Sequence, residues 1–416
     1  MKKKILALVM GFLIVGATAN VWAGEVDVLL DKLVEKGILT PLEANIIKDE
    51  TKQQVAKEIS EQKSYASPEW AQRIKMYGDF RLRNQYERRE ADTESRSRLR
   101  IRYRLGIEAQ VNKTTKVAAG LSSGGTDPRS TTQTLQDSFA KIDARLDYAF
   151  AEWAPLTGLQ IAGGKLKMPN YLWTPTDFIW DTDITPDGAS LHYEHGLVKN
   201  LDGFFNAGIW VLDEFNRTDR SDPYLNYVQG GLAWTQDKWD AKAAATYYAF
   251  NSLKGINPDN SSSTNTRIST SSVLVNDYDS VGVSGEVGFN NIFGGLPLHI
   301  DERIAFMGDF IHNVDPTEER NDGWAAGMKF GNKAVKEAKQ WQAKYLFVRL
   351  GADAFPDFLP DSDRYGGETG IRSHEVIFDY GLNKNVTLGL DYYYSARIKR
   401  DANHEQLVQT DVNFKF

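Results

Sequence analysis

The chain has 416 residues, no cysteine and a formal net charge of -7 at neutral pH. Its mean hydropathy of -0.45 excludes a helical membrane protein, because almost no segment could bury twenty residues in hydrocarbon. The lack of cysteine excludes a disulfide scaffold, a thiolate zinc site and a cysteine nucleophile. The acidic balance argues against a nucleic-acid partner, since phosphates attract basic surfaces.

The first residues have the pattern of an export signal. Lysines at positions 2–4 precede an apolar run to about residue 19, and Val21 and Ala23 occupy the -3 and -1 positions of a cleavage site. We therefore predict a signal peptide over residues 1–23, a mature chain that starts at Gly24, and a location outside the cytoplasm.

Residues 24–66 have the spacing of two short helices. Apolar residues within 26–34 recur at intervals of three and four, and Gly37 can end that helix. Thr40 and Glu43 are placed to form the capping box of a second helix that runs to about residue 62. We predict that this segment packs on itself, with a short coiled coil or a contact to another periplasmic component as the alternative.

From residue 74 onward the hydrophobic period changes from 3.6 to 2. In the second such segment one face carries Leu99, Ile101, Tyr103, Leu105, Ile107, Ala109 and Val111, and the other carries Arg98, Arg100, Arg102, Arg104, Glu108 and Gln110. A strand points alternate side chains to opposite faces, so this ribbon has one apolar face and one basic face. The alternation lasts about 13 to 15 residues, roughly 45 Å of strand, which is enough to cross a bilayer at a tilt.

Similar segments recur along the rest of the chain and bring the total to sixteen. After the first two they lie near 114–122, 139–153, 159–168, 188–195, 201–213, 224–236, 239–250, 278–290, 297–312, 323–330, 339–351, 370–382, 385–398 and 405–416. Short turns alternate with long polar loops, which is typical of outer-membrane barrels. We predict an all-β fold over residues 74–416, a 16-stranded antiparallel transmembrane β-barrel, with both termini and the helical segment in the periplasm.

The last predicted strand gives the sharpest signal. Val408, Thr410, Val412, Phe414 and Phe416 share one face, and Phe416 is the final residue. In this feature the sequence resembles the outer-membrane porins of Gram-negative bacteria. The order of signal peptide, helical segment and barrel resembles the putative porin family, which is distantly like phosphate-selective and general diffusion porins. The resemblance implies an outer-membrane location in contact with lipid, an assembly signal at Phe414 and Phe416 that the barrel-assembly machinery reads, and a homotrimer.

Aromatic side chains fall near the predicted strand ends. They are Phe150, Trp153, Trp234, Trp239, Tyr247, Phe250, Trp341, Tyr392 and Tyr394. Amphipathic rings prefer the headgroup level of a bilayer, so we predict that these residues mark the two girdles of the barrel.

A barrel of sixteen strands leaves an aqueous lumen, so function depends on the residues that line it. The predicted lining is basic and consists of Arg81, Arg83, Arg98, Arg100, Arg102, Arg104, Lys116, Lys141 and Arg145. Acidic residues at positions 79, 143 and 147 interrupt this wall, so ion pairing across strands is the structural alternative. The pattern favours a channel for small hydrophilic solutes or ions that leans towards anions.

The third long connection, residues 169–187, is unusually aromatic and apolar for an exposed loop. We expect it to fold inward against the barrel wall, and the resemblance to general porins implies a constriction there. Its candidate residues are Tyr171, Trp173, Asp177, Trp180, Asp181, Asp183 and Asp187. The four aspartates would face the arginines and create a transverse field. A calcium site at Asp181, Asp183 and Asp187 is the competing interpretation, although Thr185 and Pro186 break the EF-hand spacing.

The sequence favours a channel over an enzyme. His192 and His195 lie three positions apart on a predicted strand, so they point to opposite faces and cannot share a metal. We therefore predict a non-enzymatic protein without a cofactor or a metal. An outer-membrane hydrolase and a structural tether of the envelope through residues 25–63 are the alternatives.

Overall fold

A computed structural model describes residues 32–36, 40, 43–44, 47, 69–90, 92, 94–216, 221–292, 303–315, 320–399 and 404–416. The chain divides into two compact units, Met1–Arg73 and Ile74–Phe416. The predicted signal peptide and most of the predicted helical segment lie outside the described residues. Among the described residues, no helix is long and apolar enough to cross a membrane.

The first unit contains short helical pieces. Residues 32–35 are helical, and helix α1 spans Glu69–Gln72. The predicted capping box is present, because the Glu43 backbone N–H donates to Thr40 Oγ1 at 3.3 Å and the Thr40 backbone N–H donates to Glu43 Oε2 at 2.9 Å. These reciprocal bonds satisfy backbone donors that a helix start otherwise leaves unpaired.

The second unit is a closed antiparallel barrel. Its strands are β1 (Ile74–Arg89), β2 (Arg96–Gln110), β3 (Thr115–Ser122), β4 (Gln133–Thr134), β5 (Arg145–Trp153), β6 (Leu159–Lys165), β7 (Asp187–Val198), β8 (Leu201–Val211), β9 (Tyr224–Thr235), β10 (Trp239–Asn251), β11 (Ser280–Asn290), β12 (Arg303–Asn313), β13 (Asp322–Gly331), β14 (Trp341–Leu350), β15 (Ile371–Asn383), β16 (Val386–Arg397) and β17 (His404–Lys415). Single 3₁₀ turns occur at Asp137–Phe139, Met168–Asn170 and Tyr365–Gly367. Strand β1 pairs with β17 and closes the sheet. Apart from the two-residue β4, sixteen strands form the wall, which confirms the predicted fold.

Several strand ends differ from the prediction by a few residues, and for two of them the structure shows the reason. Strand β5 starts at Arg145 instead of residue 139, because residues 123–144 form a loop whose strand β4 pairs with β2 at Arg100 and Ile101. Strand β6 ends at Lys165 instead of residue 168, because the chain turns into the loop there and Met168–Asn170 form a 3₁₀ turn. The predicted strand start near residue 297 lies outside the described residues.

Burial along the strands is inverted relative to a soluble sheet. In β1 the polar Arg83 and Gln85 are buried, whereas Leu82, which directly precedes Arg83, is 44% exposed. In β17 Asp411 is buried and Phe414 is exposed. The barrel therefore has a polar inner face and an apolar outer face, which is the arrangement that lipid around a water-filled lumen requires.

Three loops at one rim fold into the barrel and fill part of it. The connections 166–186, 252–279 and 351–370 supply many of the buried apolar residues. At their centre the Trp180 ring lies 5.5 Å from Trp210, 6.0 Å from Tyr248 and 5.4 Å from Phe355, measured between ring centroids. We call this side of the lumen, bounded by the inner faces of β8 to β14, the packed half.

Two of the residues predicted for the aromatic girdles belong to the interior instead. Phe150 and Phe250 are 5% and 2% exposed and are part of the buried core. They occupy inward positions of their strands, where the alternation directs a side chain into the lumen rather than towards lipid. Trp153 and Tyr247 do lie on the outer face, with 51% and 41% of their surface exposed.

Candidate pore-lining site

Six arginines on the inner faces of β1 and β2 form a continuous basic wall, which we call the arginine ladder. They are Arg81, Arg83, Arg98, Arg100, Arg102 and Arg104. The antiparallel register places Arg81 directly opposite Arg102 and Arg83 directly opposite Arg100. Like charges in such positions destabilise a sheet unless acidic groups lie nearby.

Carboxylates from neighbouring strands compensate five of the six ladder arginines. The shortest nitrogen–oxygen distances are 3.6 Å for Arg81–Asp411, 2.7 Å for Arg83–Asp411, 2.9 Å for Arg98–Glu87, 2.9 Å for Arg102–Asp79 and 2.7 Å for Arg104–Asp79. These five arginines therefore form the cross-strand ion pairs that were the structural alternative to an anion-attracting wall.

Arg100 differs from the other ladder arginines. Its Nη1 donates to Gln85 Oε1 at 2.6 Å and its Nη2 donates to the Thr132 carbonyl oxygen at 3.3 Å. Both acceptors are neutral, and no carboxylate of the described residues forms an ion pair with this guanidinium. Hydrogen bonds hold the guanidinium in place, and Asp363 attracts it from a distance without forming an ion pair with it.

Three cavities lie in series along the ladder. The outer cavity, of about 310 Å³, is lined by Arg98 and Arg100. The middle cavity, of about 150 Å³, shares Arg100 with the outer one. The inner cavity, of about 470 Å³, is lined by Arg104 and shares Asp183 with the middle one. Shared lining residues make the three cavities adjacent to one another, and the middle one is the smallest of the three.

The middle cavity is lined by both basic and acidic residues. The basic residues are Arg81, Arg83, Arg100, Arg102 and Arg129, and the acidic ones are Asp177, Asp181, Asp183, Asp361, Asp363 and Asp391. Arg129 comes from the loop between β3 and β5, where it pairs with Asp127 at 3.2 Å and donates to the Asn260 carbonyl oxygen at 3.0 Å. Sequence reasoning missed Arg129, because its place in the lumen depends on contacts between loops.

The aromatic residues of loop 166–186 lie inside the barrel. Tyr171 is fully buried and its hydroxyl donates to Glu152 Oε2 at 2.7 Å, while Trp180 belongs to the packed half. The ring of Trp173 lies 6.2 Å from that of Phe204 on β8. This part of the loop thus holds the acidic residues next to the cavities.

The four aspartates predicted for this loop have different surroundings. Asp183 accepts from Arg104 Nη1 at 3.4 Å, so it contacts the ladder. Asp181 accepts from the backbone N–H of Ser362 at 2.9 Å instead of from an arginine. Asp177 forms an ion pair with Arg364.

Asp187 lies apart from the ladder. It is the first residue of β7, and it pairs with Lys165 at 3.1 Å. Because Asp187 lies on a strand and not in the loop, the carboxylates of Asp181, Asp183 and Asp187 do not gather as a calcium site would require. Among the described residues, the one acidic cluster tight enough for an ion is Asp177, Asp361 and Glu375.

Arg364 occupies the centre of that cluster. Its guanidinium pairs with Asp177 and Glu375, and it lies 3.1 Å from Asp361. Lys344 adds a second cation beside Glu375. Since a buried arginine already serves these carboxylates, we assign the cluster to a structural ion network that joins the loops 166–186 and 351–370 to the wall.

Burial changes the charge of the loop acids. Burial raises the pKa of Asp181 to about 8, and the nearby negative charge of Asp183 adds to the effect. Burial also raises the pKa of Asp361 well above its usual range, against the attraction of Arg364. For Asp177 burial acts in the same direction, but the charges of Arg364 and Lys344 outweigh it and hold the pKa below its usual value. At neutral pH the middle cavity therefore carries fewer negative charges than its count of aspartates suggests.

The remaining predicted lining residues lie away from the middle cavity. Lys116 on β3 pairs with Glu152 at 2.8 Å. Arg145 is the first residue of β5, and its 44% exposed side chain pairs with Asp143 at 3.2 Å. Lys141 precedes β5 and is exposed, because residues 140–144 belong to the loop and not to the strand.

The structure does not bring the candidate residues of an enzyme, two histidines and a serine, together in a catalytic arrangement. His192 Nδ1 lies 2.6 Å from Asn206 Oδ1 inside the barrel, while His195 stacks on Tyr193 on the other face of β7. A G-x-S-x-G pattern occurs at residues 120–124, but its serine, Ser122, ends β3 and hydrogen-bonds Asp147. This geometry differs from the strand–turn–helix of a nucleophile elbow.

The closed barrel with its apolar belt and polar lumen is the architecture of a porin channel. A family model described as putative porin matches residues 89–284 and 277–416. The chain therefore belongs to the putative porin family. The family and the fold indicate a non-enzymatic channel protein of the outer membrane.

Among solved structures, one porin barrel shows the same fold at low sequence identity. The barrel of Pseudomonas putida OprB matches with a TM-score of 0.54 and 9% identity, over 83% of this chain and 95% of that one. A triple mutant of the Rhodopseudomonas blastica porin matches with a TM-score of 0.44 and 11% identity, over 82% of this chain and 100% of that one. No curated protein matches the sequence.

Proposed function

We propose that the protein is a passive diffusion channel for small hydrophilic solutes that leans towards anions, and that solutes pass along the arginine ladder. The observation that supports this proposal is the series of three adjacent cavities beside the ladder, of which the outer and the middle one have a mostly polar lining. The proposal includes export by the predicted signal peptide with cleavage before Gly24.

The middle cavity is the proposed constriction. Loop 166–186 contributes Asp183 to it, loop 351–370 contributes Ser362 and Asp363, and the loop after β3 contributes Arg129. Three loops therefore shape the narrow region, in contrast to the single inward loop that the sequence predicts.

The charges of the middle cavity support the anion preference. Five guanidinium groups line it, whereas Asp181, whose pKa burial raises to about 8, is protonated at neutral pH. Charges that line a narrow aqueous path bias ion passage, because low-dielectric walls weaken screening.

Single-channel recording of the refolded mature protein in asymmetric KCl tests the proposal. We expect conductance steps and a reversal potential on the chloride-selective side. The double variant Arg100→Gln/Arg102→Gln should move this potential towards cation preference. Lys384→Gln removes one charge from an exposed turn between β15 and β16 and serves as the control that should leave it unchanged.

Two outcomes would contradict different parts of the proposal. The absence of conductance steps from correctly folded barrels would overturn the channel itself. A wild-type pore that prefers potassium, or a double variant with an unchanged potential, would overturn the anion preference and leave the ladder as structural ion pairing.

We further propose that Phe414 and Phe416 form an assembly signal for the barrel-assembly machinery. Phe416 continues the pairing of β17 with β1, because its backbone N–H donates to the Gly78 carbonyl at 3.0 Å and its carbonyl accepts from the Gly78 N–H at 2.9 Å. The Phe414 ring lies 6.2 Å from Phe80 on the outer face. Deletion of Phe416 should slow membrane insertion in cells while pores already formed conduct normally. Unchanged insertion rates would count against this role.

The proposal also includes a homotrimer in the outer membrane, as the resemblance to porins implies. Chemical cross-linking in isolated outer membranes should give a trimer band that is stable in mild detergent. Recovery of monomers alone would contradict it.

A further inference from the structure

We propose that Arg100 is the centre of a binding subsite for small monocarboxylates inside the channel. This inference rests on the proposed function and adds to it the chemical class of a preferred solute. Arg100 lines both the outer and the middle cavity, so a solute on the proposed path must pass its guanidinium.

The first argument is the uncompensated charge. The hydrogen bonds from Arg100 to Gln85 and to the Thr132 carbonyl orient the guanidinium, but both acceptors are neutral. Arg102, two residues further along the same face, is 2.9 Å from the carboxylate of Asp79. A partly buried cation without a counter-ion gains most from an anion that enters its cavity.

The second argument is the supply of free hydrogen-bond donors. Arginine has five N–H donors in a planar fork, and Arg100 uses two of them. Nη1 and Nη2 each keep one further N–H that no hydrogen bond of the described residues uses, whereas Nε is buried and out of reach of a solute. The hydroxyl group of Ser130 lines both cavities and can donate as well, whereas that of Ser362 donates to the Arg129 carbonyl oxygen at 3.1 Å. Arg100 and Ser130 therefore supply the donors that an oxyanion needs in this space.

The third argument selects a compact monoanion. Arg100 supplies one uncompensated charge, whereas its ladder neighbours are already paired with carboxylates. Asp363 lines both cavities and repels a second negative charge. The planar fork of arginine matches the two oxygens of a carboxylate, and the middle cavity of about 150 Å³ limits the size of the solute.

The test measures how sodium acetate reduces the chloride current of single channels formed by the mature protein. Arg100→Gln removes the guanidinium, and Gln85→Glu keeps it but places a carboxylate at the position of its neutral acceptor. The quantity compared is the acetate concentration at which the current falls to half. Each change should increase this concentration about tenfold or more, since a charge-assisted pair is lost. Arg102→Gln removes a charge that is already compensated and should raise it by less than about threefold.

A second arm compares anions. Phosphate at pH 8, where it is mostly a dianion, should inhibit the wild-type channel more weakly than acetate at the same concentration. The heat-dependent shift of the folded barrel on a gel confirms that each variant is folded before it is recorded.

The possible outcomes separate the two proposals. If folded wild-type protein gives no conductance, the channel proposal fails. If conductance is normal but acetate acts equally on wild type, Arg100→Gln and Gln85→Glu, the subsite is wrong while the channel stands. Stronger inhibition by phosphate than by acetate would overturn the assignment to monocarboxylates.

Discussion

The two halves of the lumen differ in how they are filled: loop side chains close one half, and cavities remain in the other. In the packed half, rings such as Trp180, Tyr248 and Phe355 exclude water and fix the loops to the wall. Beside the ladder, charged side chains keep their hydration or their partners, because a buried charge without either is costly. Apolar side chains of the loops and the wall therefore fill the packed half. The cavities for solutes remain beside the arginine ladder, where the wall is polar.

The largest expected effect concerns the boundary between the halves. Arg364→Met removes the cation that serves Asp177 and Glu375, so two buried carboxylates keep only Lys344 as a partner. We expect a loss of about 3–5 kcal/mol in the free energy of unfolding, which is typical when one member of a buried ion network is removed. Urea unfolding of the barrel in lipid vesicles measures it.

A matched control and a pH series sharpen this prediction. Arg145→Met breaks an exposed pair and should cost less than about 1 kcal/mol. Because Arg364 and Lys344 lower the pKa of Asp177, that group contributes stability above its unfolded pKa and loses it as the pH falls. The difference between wild type and Arg364→Met should therefore shrink below about pH 4. A pH-independent difference would contradict the electrostatic account.

The next effect concerns the packed half itself. Trp180→Ala removes the ring at the centre of the loop cluster and should cost about 3 kcal/mol, since a loop can partly collapse around the cavity. Loosened loops should also raise the main conductance step. Trp324→Ala changes a side chain that is 38% exposed and lies on the outer face, so it should leave the conductance as it is. Equal conductance in both variants would show that the packed half does not limit the path.

The smallest effect concerns the charge of the middle cavity. Asp181, whose pKa burial raises to about 8, is protonated at pH 7 and becomes negative as the pH rises through 8. The reversal potential should therefore drift towards cation preference between pH 7 and pH 9. In Asp181→Asn this drift should be smaller. If the drift has the same size in both proteins, a titratable group other than Asp181 causes it.

Local patterns were sufficient to predict the wall of the barrel. Each strand faces lipid on one side and the lumen on the other. The alternation in a segment such as 98–111 therefore predicts both the strand and that the side chains of Arg98 to Arg104 point into the lumen. The third loop was predicted to fold inward from its own aromatic content, and Tyr171 and Trp180 are buried.

The partners of the charges could not be predicted in the same way. Arg129 and Arg364 reach the lumen through contacts between loops far apart in sequence, and no periodicity marks them. Asp183 and Asp187 are both aspartates of the predicted loop 169–187, so the sequence does not distinguish them. In the structure Asp187 starts a strand and pairs with Lys165. That Arg100 lacks a counter-ion follows from its exact neighbours in three dimensions, which the row of arginines alone does not reveal.

The path of solutes along the ladder is tested most directly with single cysteines, because the chain has none of its own. Ser130 lines the outer and middle cavities, whereas Ser284 on β11 is buried on the inner face behind the packed half. A bulky methanethiosulfonate reagent added to open channels should reduce the current of Ser130→Cys and leave that of Ser284→Cys unchanged. A block of Ser284→Cys with no effect on Ser130→Cys would contradict the account and place the path in the other half of the lumen.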